Sequence, residues 1–114
     1  MPKGKIVMTD CLQVFCTTDS RGEAEAIAEA LVREGLAACV QIAGPIVSVY
    51  QWEGEVARAE EWLLLAKTTA ARYRDLEATI AAVHSYEVPE IVAVPIERGS
   101  EAYLAWLRQA VGGA

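Results

Sequence analysis

The chain holds one histidine, His84, in the stretch HSYEVPEIVAVPIERG, and three cysteines, Cys11, Cys16 and Cys39. Imidazole nitrogen and thiolate sulfur are the side-chain donors that suit copper or zinc. A Cys/His pair is therefore the first chemistry to consider, with Cys16 closing one apolar run and Cys39 lying within the next. The spacing leaves the matter open. There is no HxH, HExxH or HxxxH pattern, and a transition-metal site needs several convergent donors. A histidine at the end of a helical stripe also serves as a cap or hydrogen-bonding residue, and a buried cysteine is commonly an inert small hydrophobe.

Two charges form a second anomaly. Lys67 interrupts LLLAKTT and Glu90 interrupts VPEIVAV, where an unpaired charge is expensive to bury. They are expected to pair with each other, with Glu61 or with a group on a neighbouring subunit, or to reach solvent from strand ends. Tyr50, Trp52 and Tyr86 are large amphipathic rings that can line a cleft or anchor an interface. A catalytic set is harder to assemble. The sequence has no GxGxxG or phosphate-binding loop, no GxSxG elbow and no asparagine, and His84 is the only histidine that could serve a nucleophile as base. The expectation is a protein without catalysis.

These residues must be positioned by few elements. CLQVFCTT (11–18) alternates as a strand. Ser20 with Glu23 three residues on is a capping-box signature ahead of a helix that stops at Gly35. LAACVQI (36–42) reads as the next strand, broken or bulged at Gly44-Pro45 before IVSVYQWEGEV (46–56). Gly54 and the polar ARAEE stretch read as a hairpin connection, with EWLLLAKTT (61–69) returning. A helix over 70–84, a strand over 89–96 flanked by prolines, and a helix after Gly99-Ser100 complete the order. This β-α-β-β-α-β pattern plus a C-terminal helix is the α+β, ferredoxin-like split βαβ arrangement with an antiparallel sheet. It forms one domain over 11–111, with a flexible segment at 1–10 and a tail at 112–114.

Such a sheet carries its helices on one face, so the other face should be polar. Here Trp62, Leu64 and Ala66 oppose Leu63 and Leu65, and Ile46, Tyr50 and Trp52 oppose Val47 and Val49. Both faces are apolar, and 114 residues leave no second helical layer to cover them. The expectation is an oligomer. A net charge of −6 and no Lys/Arg cluster argue against nucleic acid. No apolar run approaches the length of a membrane span, and the N-terminus lacks the apolar core of a signal peptide. An odd number of cysteines without a CxxC pair points to reduced thiols and the cytoplasm.

The phrases LAACVQI, SVYQWEGEV, LLLAKTT and HSYEVPEIVAVPIERGSEAYLAWL, in this order, resemble the CutA family of divalent-cation tolerance proteins from about Leu12 to Leu107. The resemblance implies a ferredoxin-like subunit in a homotrimer similar to the nitrogen-regulatory PII proteins, cytoplasmic and linked to copper and other divalent metals. It places the metal contacts at Cys16 and His84. Where some members carry a second histidine this chain has Val83, and it reads His-Ser-Tyr where many read His-Pro-Tyr. Two donors per subunit imply weak binding, with Cu2+ first. Tyr50, Trp52, Glu61, Lys67 and Glu90 fall in the family's recurring motifs and imply an intersubunit cleft. A small ligand there would make the chain a PII-like sensor; a long flexible loop between the middle strands would favour that reading, and the short RAEE link disfavours it.

Overall fold

The computed structural model describes residues 9–112. The chain orders as β1 (Cys11–Thr18), α1 (Arg21–Arg33), β2 (Cys39–Trp52), β3 (Glu55–Thr69), α2 (Ala70–Val83), β4 (Ile91–Pro95) and α3 (Glu101–Gly112). The strands form one antiparallel sheet in the order β2-β3-β1-β4. This is the expected α+β, split βαβ topology. Of the segments set apart as flexible end and tail, 1–8 and 113–114 lie outside the described residues. Thr9 bonds the Ile96 carbonyl, and Asp10 accepts from the Ala70 amide and from Arg108.

Alternation along β1 and β3 sets the core. Val14, Cys16, Leu64 and Ala66 point to one face and pack against Ala24, Ile27, Leu31, Leu76 and Ile80 of the two helices. Cys11, of opposite parity, packs with Leu104, Leu107 and Val111 of α3 at one end of the other face. The rest of that face is uncovered by this chain. Phe15 and Leu65 are half-buried there, and on the edge strand β4 Val92 and Val94 are 50% and 46% exposed.

Helix α1 starts as its signature requires, the Ser20 hydroxyl accepting from the Glu23 amide at 3.1 Å. The box is not closed, because the Glu23 carboxylate turns away to other partners. At the far end Gly35 (φ +70°) donates to the Val32 carbonyl and Leu36 to that of Leu31, the paired closing bonds of a left-handed cap. These bonds and Ala37 N–H to Leu31 O use the backbone of 36–37, which is why the strand expected at Leu36 begins at Cys39.

In the middle of the chain, of the break or bulge expected at Gly44-Pro45 the structure has the bulge: β2 runs through, with a register shift between Ala43 and Ile46. The connection expected at Gly54 and ARAEE is confined to a two-residue turn at Glu53-Gly54, both at positive φ (51° and 83°), between paired Trp52 and Glu55. That is the turn conformation whose twist matches a hairpin. ARAEE lies inside β3. Its charges mislead a sequence reading because this part of the hairpin runs beyond β1, where Arg58 and Glu60 meet solvent; Glu61, at its inner end, is buried. The outer ribbon, Ile46–Trp52 against Glu55–Glu61, spans roughly 23 Å along each strand. It stretches the radius of gyration to 15.8 Å, against ~13 Å for a compact chain of this length.

Candidate functional site

Helix α2 buries Leu76 and Ile80 and ends when His84 leaves helical geometry (φ −71°, ψ 140°) while its N–H still bonds the Ile80 carbonyl. The break turns the imidazole inward, and its side chain is 0% exposed. Nδ1 accepts from the Tyr86 backbone N–H at 3.0 Å. An N–H can only donate, so Nδ1 carries the lone pair and Nε2 the proton, which goes to the Thr17 carbonyl at 2.8 Å. His84 thus stands at the C-cap through its backbone N–H, while its ring bonds beyond the helix rather than to the helix carbonyls. It also ties the 84–86 turn to the end of β1, beside Cys16.

Cys16 is 1% exposed in the main core. Its thiol reaches the Thr17 carbonyl at 3.8 Å. Burial, reinforced by the negative charges of Glu90, Glu23 and Glu61, pushes the thiol up to about 12. At neutral pH it stays protonated. Glu23, Glu61 and Glu90 thus form an acidic rim within electrostatic reach of Cys16, itself buried in the core.

Glu23 organises that rim. Its Oε2 accepts from the Thr18 hydroxyl at 2.6 Å, the Ser85 hydroxyl at 3.1 Å and the Ser85 amide at 3.3 Å, and lies 3.5 Å from His84 Nδ1. Burial pushes this carboxyl up, but the bonds from Thr18 and Ser85 outweigh it and hold Glu23 below the ordinary carboxylate value. Sequence reasoning assigned Glu23 only to a cap; no local pattern signals a partner 62 residues away.

Glu61 is buried, 7% exposed, and accepts from the Tyr86 hydroxyl at 2.6 Å. Burial first, and then the Glu61 carboxylate, push the Tyr86 phenol above its ordinary range, so it remains a donor through the alkaline range. Glu61 and Tyr86 therefore join the Cys16–His84 neighbourhood. Glu90 stands beside it, one residue before Ile91, which pairs with Cys16.

Of the other expected cleft residues, none bonds Cys16, His84, Glu61 or Tyr86 within one subunit. Lys67 donates to Gln41 at 2.7 Å on the uncovered sheet face and bonds neither Glu61 nor Glu90. Along β3 it is six residues from Glu61, roughly 20 Å. Tyr50 and Trp52 sit on the ribbon, Trp52 64% exposed beside the turn. Two open grooves, of about 520 Å³ beside Ala28 and Val40 and about 330 Å³ beside Ile42 and Trp62, are lined by other residues.

As a donor set, sulfur and imidazole nitrogen fit a soft or borderline divalent cation. Among the described residues no group of three His, Cys, Asp or Glu side chains has the geometry to hold an ion. Both donors, moreover, are occupied by protein partners.

Comparison with known proteins accounts for this assembly of motifs. The family model of the CutA1 divalent ion tolerance protein matches residues 12–110. The divalent-cation tolerance protein CutA of Thermus thermophilus is 48% identical over 87% of this chain and 96% of its own length. Human Protein CutA is 39% identical over 83% of the chain, which spans 53% of that protein. A solved structure of the Thermus thermophilus protein superposes with a TM-score of 0.88 at 47% identity, covering 90% of this chain and 99% of the other. A structure described as the periplasmic divalent cation tolerance protein CutA of Archaeoglobus fulgidus gives 0.86 at 39% identity, covering 89% and 98%. On sequence and fold together, the chain belongs to the CutA1 divalent ion tolerance family.

Proposed function

We propose that the protein acts in divalent-cation tolerance as a homotrimer without catalysis, contacting the cation through Cys16 and His84. The observation that carries this reading is the convergence of the two side chains on Thr17, one through its thiol and one through Nε2. Sulfur and nitrogen favour Cu2+ over harder ions. Two donors per subunit leave the coordination to be completed by water or a neighbouring chain, so binding is weak. The uncovered apolar sheet face supports the trimer, as does the ribbon, which exposes Val47, Val49, Trp52 and Val56 and is too thin to bury them. Three unbridged cysteines support a cytoplasmic location; cell fractionation tests it.

The deciding experiment is a Cu2+ titration of the Cys16→Ser/His84→Ala protein. Loss of binding supports the site, and a titration matching the unaltered protein removes it. Light scattering tests the assembly: a particle three times the 12.3 kDa of one chain is expected, and a folded monomer overturns the trimer.

A second reading, a PII-like sensor with a small ligand at the subunit interface, draws on Lys67, a charged side chain on an uncovered face, and on the exposed rings of Tyr50 and Trp52. Glu61 and Glu90 would then reach the same cleft only from a neighbouring subunit. Thermal-shift screening against nucleotides and metabolites separates the readings, because a ligand of the native state raises the melting point.

A further inference from the structure

We propose that Glu23 is the latch of a gate, holding the 84–86 turn shut over β1 so that the Cys16 thiol and the His84 ring become available to a cation only when that turn opens. This rests on the reading of Cys16 and His84 as the cation contacts.

The geometry is specific. A neutral imidazole has one lone pair, and in His84 it already accepts the Tyr86 N–H. The other nitrogen is engaged with Thr17. Neither can ligate without releasing one of these bonds, of which one lies within the 84–86 turn and the other ties that turn to β1. One oxygen of Glu23, in the first turn of α1, gathers Thr18 at the end of β1 and both the amide and hydroxyl of Ser85. It is the link from helix to turn, and no side chain within the turn could supply it.

Residues 84–90 are the irregular connection from α2 to β4, and Ser85, Glu87 and Val88 are exposed. Such a segment opens locally at far lower cost than the core beneath it. Glu23 is thus a positioning residue: it sets how often the donors are uncovered.

The test uses the full chain, metal-free with a chelator, and follows iodoacetamide labelling of each cysteine by peptide mass mapping. Glu23→Ala is expected to speed labelling of Cys16 at least ~10-fold, the scale of losing hydrogen bonds to a charged group. Glu23→Gln keeps an oxygen for Thr18 and Ser85 but loses the charge, and is expected to fall between the unaltered rate and that of Glu23→Ala. Cys11, sealed under α3, is the internal control and should not change. Ser85→Ala, a mild change at an exposed position, should give a smaller rise at Cys16 alone. Cys16 labelling unchanged in both Glu23→Ala and Ser85→Ala overturns the latch, and so does Cys11 rising in step with Cys16, which marks general loosening. In a second arm Cu2+ association is followed by tryptophan fluorescence. Faster association in Glu23→Ala supports the gate, and equal rates overturn it. Selective uncovering of Cys16 with no copper bound by either protein overturns the cation contacts and leaves the latch standing.

Discussion

Replacing Tyr86 by Phe removes one oxygen from a side chain whose ring is otherwise unchanged, so no cavity term arises. What is lost is the 2.6 Å bond to Glu61, a carboxylate only 7% exposed. A hydrogen bond to a charged group contributes about 1.5–3 kcal/mol, and a buried acceptor left unsatisfied stands at the upper end of that range. We expect Tyr86→Phe to cost about 2 kcal/mol at neutral pH. For a domain of this size that corresponds to roughly 8 °C in melting temperature. The assay is urea unfolding at fixed protein concentration, since an assembly makes apparent stability depend on concentration. Glu61→Gln and the double variant complete a cycle. If the two side chains act on each other as their geometry indicates, the double variant is less destabilised than the sum of the singles by at least ~0.5 kcal/mol. A cost below ~0.5 kcal/mol for Tyr86→Phe, or strict additivity, refutes the view that this bond pins the 84–86 turn to β3.

Glu23 has its carboxyl held below its ordinary 4.5, so the stability it contributes is complete above that pH and is lost as pH falls through the lower folded-state value. The stability difference between the unaltered protein and Glu23→Gln should accordingly be constant from pH 6 to 8 and shrink on acidification below ~4.5; a gap that widens there contradicts the assignment. Gly44→Ala places a methyl 2.6 Å from Trp62 Cδ1 and 2.9 Å from Cγ, against a rigid indole. It should cost about 1–3 kcal/mol by denaturant titration, with part recovered by Trp62→Leu. Val92→Lys with Val94→Glu puts charge on the uncovered sheet face and should shift the light-scattering mass toward a monomer while circular dichroism stays unchanged; an unaltered mass places the interface elsewhere.

Much of the fold could be read from local pattern. Period-two alternation in CLQVFCTT and EWLLLAKTT, the Ser20 and Gly35 signals and the apolar stripe of α2 each follow from chemistry within a few residues. Gly54 marks the hairpin turn in the sequence, but the charged ARAEE beside it looks like more of the loop. Only pairing with β2 reveals it as strand.

The candidate site divides the same way. Sequence alone supplied the residue types: one histidine, a cysteine closing β1, and acidic groups amid apolar runs. Composition and alternation also determined that the sheet would have two apolar faces, since side-chain direction along a strand is fixed by its period. Tertiary structure decided which of these side chains meet. Glu23 and Ser85, Tyr86 and Glu61, and His84 and Thr17 are separated by 62, 25 and 67 residues. Their bonds arise because crossing strands and the end of α2 bring distant segments together at one end of the sheet. Lys67 and Glu90, alike in sequence as charges amid apolar runs, were separated for the same reason. A residue's type is local, but its partner is a property of the register.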